Sequence, residues 1–524
     1  MSLAKIYSAT VVGLNAEPVE VEVDISNGKI GLTIVGLPDR VVEESKERVR
    51  SAIKNSDASF PMRRITVNLA PADVRKEGPV FDLPIAVGTL VASKQIGGDF
   101  SKTIFLGELS LDGTLRGVNG ILSVTEMAVK NGFEKVFLPT ENLQEGLILE
   151  GLEVFPVENL VQLIKYFNGE MLIAGQKSGG ILEKEPEVAF QYDLAFIKGQ
   201  DQAKRALEIV AAGGHNILMN GPPGSGKTLL ARALPSILPK MTIDEMLEVT
   251  KIHSVSGILP KGEALIKIRP FRSPHHTSSA VSIVGGGAFP KPGEISLSHR
   301  GILFLDELPE FPRFVLEVLR QPLEDGVVNV SRASGAVCFP AKFILVAAQN
   351  PCPCGYFTDP IKQCTCSATT IARYQKKISG PLLDRIDLHI EVPRVEYSKL
   401  ASTDVGEGSD VVRQRVQKAR EIQEDRFAKK RNPSTSFDKA QDKKLGARKI
   451  FSNSEMGTEE VTQFCNLDES AKQLIKNAVV QMHLSARVYH RILKISRTIA
   501  DLEGSENILQ KHIAEALQYR IREK

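Results

Sequence analysis

Residues Gly221, Pro222, Pro223, Gly224, Ser225, Gly226, Lys227 and Thr228 satisfy the G-x-x-x-x-G-K-[ST] spacing of a phosphate-binding loop without a mismatch. Glycines let such a loop curl until several backbone N–H groups point at one anion. Lys227 then reaches the β- and γ-phosphates of a nucleotide, and the Thr228 hydroxyl ligates Mg²⁺. Downstream, the apolar run 301–305 ends in Asp306 and Glu307. A buried strand ending in two carboxylates supplies the other half of ATP hydrolysis: Asp306 to hold the Mg²⁺ shell and Glu307 to polarise the attacking water as general base. Two surface acids after a strand are the plainer alternative. A second apolar run, 343–348, ends at Gln349 and Asn350. Asn350 is placed to hold that water against the γ-phosphate, although a strand-end Asn more often caps a turn.

Cys352, Cys354, Cys364 and Cys366 follow directly. Four of six cysteines in one short loop point to a closed Zn²⁺ site rather than to disulfides, with free thiols as the alternative. Gly355 supplies the turn freedom, and the absence of an evident open ligand position makes the metal a structural staple. Cys338 and Cys465 read as core residues. Two cations suit sequence-independent contact with a DNA backbone: Lys291, after Gly285, Gly286 and Gly287, and Arg332, near the tip of a hairpin expected over 328–337. Each could equally be an exposed loop cation without a ligand.

These groups need elements to hold them. Residues 216–220 read as the strand entering the phosphate loop. Residues 228–238 read as a helix whose positive N-terminus faces the phosphates, shortened or kinked at Pro235 beyond its first turn. An α/β nucleotide-binding domain over 191–397, with the four-cysteine insertion at 351–367, accommodates them. Residues 1–170 precede it, mixing strands (19–23, 64–69) with an amphipathic helix at 41–55. A linker is expected at 171–190, glycine-rich and then charged. Residues 398–524 read as helical, interrupted by a polar insertion at about 429–455 expected to be mobile. Val488, Ile492, Ile495, Ile499 and Leu502 form a core-facing stripe there, with Arg487 and Arg491 on another face.

The loop 221–228, the Leu305-Asp306-Glu307 ending, the run Leu382-Leu383-Asp384-Arg385-Ile386-Asp387 and the run 484–491 together resemble the magnesium-chelatase-like AAA+ ATPases, and among them the ComM/YifB branch. Residues 269–277 and 284–287 are similar to that family as well. The resemblance covers nearly the whole chain apart from the polar insertion. It implies a central AAA+ P-loop α/β domain with a zinc-knuckle insertion, a C-terminal helical lid domain, and a homo-hexamer with ATP at subunit interfaces. Arg385 would then be the finger that stabilises transition-state charge on the neighbour's nucleotide, a contribution of roughly 10³–10⁵ in rate. Arg487, ahead of Arg491, would reach the nucleotide too. Read as residues only, Arg385 could instead pair with Asp384 or Asp387, and one of the two later arginines could simply be solvated. The branch is associated with DNA translocation and branch migration in natural transformation. Residues 1–170 resemble the Lon protease proteolytic domain, an α+β fold like ribosomal protein S5 domain 2. Val80 stands where its nucleophilic Ser would be and Leu122 where its general-base Lys would be. Neither side chain can do that chemistry, which leaves assembly or partner binding.

A chain of 524 residues exceeds one hydrophobic core and suggests about three domains. With 42% hydrophobic and 25% charged residues its composition is that of a globular protein, and a net charge of +3 confines any nucleic-acid site to a local patch. The N-terminal residues lack the apolar core of a signal peptide, and no run approaches the roughly eighteen apolar residues of a membrane span. A cytoplasmic protein without membrane contact is expected. Together these features point to an ATP-hydrolysing hexameric motor on single-stranded or branched DNA. A magnesium-chelatase-type ATPase subunit and a protein-remodelling ATPase, gripping peptide with Phe289, are the alternatives.

Overall fold

The computed structural model describes residues 2–179, 190–260, 262–287, 290–332, 335–357, 359–400, 405–431 and 450–520. Its first unit is built on an eight-stranded mixed sheet. Ser2–Val12 pairs antiparallel with Asn15–Ser26, which pairs in turn with Arg64–Ala70. Val19, Val21, Val23 and Ile25 alternate inward along Asn15–Ser26 while the acids between them turn out, the period-two pattern of a half-buried strand. The apolar helix Asp82–Ala92 is buried on nearly every side. Beside it lies the amphipathic helix Arg40–Lys54, capped by the Asp39 carboxylate, which accepts from Val42 N–H at 2.7 Å. Gln176–Lys177 adds an antiparallel edge strand against Glu153 and Val154. Part of the stretch expected to be a linker therefore belongs to this sheet.

The second unit carries a five-stranded sheet in which every pairing is parallel. From one edge to the other run Phe271–Arg272, Ile302–Leu305, Ile344–Gln349, Ile217–Asn220 and Leu388–Glu391. The middle three strands are almost wholly buried, as strands covered on both faces must be. After the phosphate loop the α-helix spans only Lys227–Ala233; Pro235 falls in the 3₁₀ turn Leu234–Ile237 that ends it.

Helices Ser409–Arg431, Glu469–Gln481, Ala486–Leu502 and Gln510–Gln518 close the structure. The stripe Val488, Ile492, Ile495 and Ile499 is buried and shares one apolar cluster with Ile209, Val210, Ile217 and Met219, so the helical unit is packed directly on the five-stranded core. Of the polar insertion expected at about 429–455, residues 432–449 lie outside the described ones, 429–431 continue the helix Ser409–Arg431, and 450–455 are packed. Phe451, Ser452 and Asn453 are buried, and Glu455 pairs with Arg300 at 2.9 Å. Short polar residues there serve hydrogen bonding: Asn453 donates to Thr498 and Asp501. Cys338 is also corrected. Along Gly335–Pro340, Phe339 turns inward and Cys338 is exposed.

The two units meet along the helices Ile121–Lys130 and Ile243–Ser256. Leu122 joins Ile148, Ala264 and Leu265 in one apolar cluster. Buried Glu145 accepts from Leu122 N–H at 2.8 Å and from the Ser254 hydroxyl, and Ser254 Oγ accepts from Gly120 N–H at 2.9 Å. Lys251 and Glu126 add an ion pair at 2.6 Å. Among the described residues no helix is long and apolar enough to cross a membrane.

Candidate nucleotide site

Parallel register places three loop starts at the C-terminal end of the sheet. Asn220 is level with Gln349, and Leu305 with Ala347, so the phosphate loop, the Asp306-Glu307 pair and Asn350 leave the sheet side by side. Thr228 Oγ1 donates to Asp306 Oδ2 at 2.9 Å. Lys227 Nζ donates to the carbonyls of Gly221 and Pro222 at 2.7 and 2.8 Å and to Asn350 Oδ1 at 3.3 Å. Gly224 and Gly226 have φ values of +76° and +95°, and a Cβ on either would point into open space. The buried Ser225 hydroxyl has no hydrogen-bond partner. An open glycine cradle, an orphaned hydroxyl and an ammonium held only by carbonyls and an amide form a donor set that suits phosphate oxygens. Thr228 and Asp306 suit the accompanying Mg²⁺.

Glu307 takes a left-handed conformation, φ +53°, that turns its half-exposed carboxylate off the strand line. His276 Nδ1 lies 3.7 Å from Glu307 Oε2. Sequence reasoning assigns this histidine no role; its signal is the adjacent His275-His276 pair in a family-like run. Gln200 is a second addition. Its amide donates to Ser225 O at 3.2 Å and Pro393 O at 2.6 Å, bracing the loop from behind.

The four cysteine sulfurs lie within 4.8 Å of one another. Cys352 is 3.3 Å from Cys354 and 3.7 Å from Cys364, and Cys354 is 3.6 Å from Cys364. Four sulfurs each about 2.3 Å from one tetrahedral ion would be roughly 3.8 Å apart, so the set is compatible with a zinc site. Backbone N–H groups of Tyr356 and Thr365 pull the Cys354 thiol down to about 5. The knuckle abuts the nucleotide loop: a Cβ on Gly355 would come within 2.5 Å of Pro223 Cδ.

Arg385 and Arg487 lie elsewhere. Leu388 is level with Ile217, so Arg385 precedes the sheet at its N-terminal end, a strand length of about 10 Å from the phosphate loop. There Arg385 pairs with Glu324 and donates to Pro381 O at 2.7 Å, while Arg487 reaches the same Glu324 carboxylate at 2.7 Å. Neither Asp384 nor Asp387 is the partner of Arg385. Arg491, rather than being solvated, pairs with Asp387 and donates to Arg385 O at 2.5 Å. Burial pushes the Asp387 carboxyl up, but Arg491 and His215 overcome it and hold the group below the usual carboxylate range. Lys291 is exposed on the small hairpin pairing Gly285–Gly286 with Lys291–Pro292. Arg332 closes the Val327–Arg332 strand opposite Gly335; its side chain, like Phe289, lies outside the described residues.

In the first unit Val80 sits beside Phe81, which is buried, and Leu122 is buried at the junction between the units. Lys76 is fully buried with its ammonium on Pro71 O, and Asp82 is tied to Arg48 at 2.6 Å. These residues are occupied by packing and pairing.

The magnesium chelatase subunit ChlI family matches residues 193–400, a second ChlI model of the Mg-chelatase matches 21–142, and the ChlI C-terminal model matches 406–520. The chain is 44% identical to competence protein ComM of Haemophilus influenzae, covering 99% of this chain and 98% of that protein. It is 42% identical to protein YifB of Escherichia coli, over 99% and 97% of the two chains. Similarity to the magnesium-chelatase subunit ChlI of Nephroselmis olivacea is 24% over 40% of this chain and 59% of that protein.

Burial pulls the Lys227 ammonium down to about 8, against the opposing pull of Asp306 and Glu307. A phosphate beside it favours the charged form, so nucleotide affinity is full below pH 8 and falls as pH rises through it. Titrating ATP calorimetrically at pH 7 and pH 9 should show weaker binding and proton uptake at the higher pH. Lys227→Arg, which stays charged, should lose both the uptake and the pH dependence.

Proposed function

The chain belongs to the magnesium-chelatase-like ComM/YifB family of AAA+-type ATPases, and from that membership we propose that it is a ring-forming motor acting on single-stranded or branched DNA. The observation that carries the ring is the split of the machinery between the two ends of the parallel strands. Lys227, Thr228, Asp306, Glu307 and Asn350 converge at one, while at the other the largely buried Arg385 and the half-exposed Arg487 share the Glu324 carboxylate. A neighbouring subunit in a hexamer brings the two ends together, so that each nucleotide meets its neighbour's arginines. The printed name of the Haemophilus relative, a competence protein, supports DNA handling in transformation as the setting.

Bound ATP supplies the scissile β–γ phosphate linkage. Around it Lys227 and the loop amides hold the phosphates, and Thr228 and Asp306 hold Mg²⁺. Glu307 takes the proton of the attacking water, with Asn350 orienting that water and His276 beside Glu307 fixing the carboxylate. Lys291 and Arg332 are the DNA-backbone contacts. The hairpin carrying Arg332 rests on the first unit: a Cβ on Gly13 would come within 2.7 Å of Val337 Cγ1. Cys352, Cys354, Cys364 and Cys366 hold a structural Zn²⁺ that stiffens the wall behind Pro223.

The DNA reading is tested by steady-state ATPase with and without single-stranded and forked DNA, with Lys227→Ala as the inactive control. Stimulation of several fold, lost in Arg332→Ala, is expected; a flat response from an assembled ring would move a protein substrate to the front. Action across the interface has its own test. Arg385→Ala should cost roughly 10³–10⁵ in kcat with nucleotide affinity retained. Mixing it with inactive Glu307→Gln subunits should restore turnover, because mixed rings contain intact composite sites. Metal analysis of the purified protein should find one zinc per chain. Cys352→Ser should remove it and slow hydrolysis, and unchanged ATPase, assembly and DNA affinity would detach the knuckle from the motor.

A further inference from the structure

Glu324, the carboxylate shared by Arg385 and Arg487, lies at the root of the hairpin that carries Arg332. It belongs to the short helix Pro322–Asp325, and the strand Val327–Arg332 starts just beyond. Gly326, at φ +68°, is the joint between them. Its N–H donates to Pro322 O at 2.9 Å, and its carbonyl accepts at 2.8 Å from Ala341 N–H, which follows the returning strand Gly335–Pro340. A Cβ on Gly326 would come within 2.9 Å of Lys342 Cγ. Leu323 of the helix packs on the apolar cluster that holds Val328, Val330 and Phe339 of the hairpin. The turn bearing Glu324 and the hairpin are thus joined by chain, hydrogen bonds and packing, and shift as one body.

Arg385 in this arrangement is withheld from any neighbouring nucleotide. Its side chain is only 9% exposed, with Nη2 on Glu324, Nη1 on Pro381 O at 2.7 Å and Nε buried without a partner. A guanidinium that stabilises phosphoryl charge must present its N–H groups to that charge. Leaving Glu324 therefore precedes any such contact. Arg487, half-exposed, holds the other oxygen of the same carboxylate at 2.7 Å. Burial raises the Glu324 carboxyl, but the two guanidiniums overcome it and keep the group below the usual carboxylate range. One charged side chain occupies both arginines.

We propose that Glu324 is a positioning residue that withholds Arg385 and Arg487 from the neighbour's nucleotide until the hairpin 327–340 is displaced. DNA drawing on the hairpin shifts Gly326 and the turn before it, which takes the carboxylate off both guanidiniums. The freed arginines then reach across the subunit interface, so a ring without DNA hydrolyses ATP slowly. The hold on the arginines rests on their proposed action across the interface, and its release rests on the DNA reading.

The test measures kcat at saturating ATP, without and with single-stranded DNA, in the full chain and in its Glu324→Gln and Glu324→Asp variants. Glu324→Gln keeps the side-chain size and removes the charge. It should raise DNA-free kcat about fivefold, the population shift expected from losing one partly exposed ion pair, with ATP affinity unchanged. DNA should then add little more. Glu324→Asp keeps the charge and should stay near the parent. In an Arg385→Ala background the gain should vanish. An assembled Glu324→Gln protein with kcat at or below the parent's overturns the proposal, and so does a gain that persists without Arg385. A gain with undiminished stimulation by DNA overturns the hairpin link. A parent ATPase indifferent to DNA fails the DNA reading alone, because the DNA-free comparison still decides whether Glu324 restrains Arg385. Full kcat in Arg385→Ala alone fails the interface reading instead. If Glu324→Gln does not assemble, phenylglyoxal labelling of the parent protein, read by mass spectrometry, takes its place. Arg385 should be protected without DNA and reactive with it, and equal protection in both overturns the proposal.

Discussion

Because Ile344–Gln349 is hydrogen-bonded between Ile217–Asn220 and Ile302–Leu305, and all three strands run the same way, every loop that leaves their C-terminal ends must emerge together. Parallel pairing does not permit these strands to shift separately. A one-residue slip of a doubly buried strand would also exchange its two faces. The placement of Lys227 beside Asn350, and of Thr228 beside Asp306, follows from that register. The same constraint carries the chain segment before Leu388 to the opposite end of the strands. Arg385 is thereby held a strand length from the loop at residues 221–228, and the separation of acid and arginine is built into the fold.

The junction between the two units rests on one small apolar cluster and one buried carboxylate. Leu122 is buried against Ala264 and Leu265, and its backbone N–H is taken by Glu145. Burial raises the Glu145 carboxyl, opposed by the Ser254 hydroxyl and the Leu122 amide. A buried carboxylate of this kind is costly to leave unsatisfied, so the Ser254 contact ties the first unit to helix Ile243–Ser256 specifically, where apolar packing of four residues would tolerate some sliding.

Legibility in the sequence follows the range of the interaction. The phosphate loop was readable because its chemistry is local, fixed by eight consecutive residues, and the apolar runs ending at Asp306 and Asn350 were readable because a buried parallel strand leaves a continuous signature. The four cysteines were readable for the same reason. What pairs with Arg385 was not: Glu324 stands 61 residues before it, and nearby Asp384 and Asp387 offered the more obvious partners. Helical spacing sets Arg487 and Arg491 off the apolar stripe and leaves open that one of them is simply solvated, yet Arg491 is paired with Asp387 in another unit. Residues 450–455 were misjudged by composition. Ser452, Asn453 and Glu455 are polar because they satisfy buried donors and acceptors, and composition does not distinguish that use from solvation. Cys338 was misplaced because residue type says little about which face of a two-stranded hairpin is covered.

Charge distribution at the lid gives the two ends of the sheet different mechanical characters. At the phosphate end Lys227 is held by carbonyls and one amide oxygen, contacts that an anion can replace without leaving a charge unpaired. At the far end Arg385 and Arg487 share Glu324, so drawing either guanidinium away exposes a carboxylate that the other still neutralises. Two arginines on one carboxylate can thus be separated stepwise, each step costing less than separating an isolated buried pair. The Asp387–Arg491 pair behind them is buried and fixed, with Asp387 also accepting from Asn216 N–H at 2.9 Å just before the phosphate-loop strand. The chain of contacts from Arg491 through Asp387 to Asn216 therefore reaches the start of the strand Ile217–Asn220, and four residues of strand separate it from the phosphate loop at Gly221.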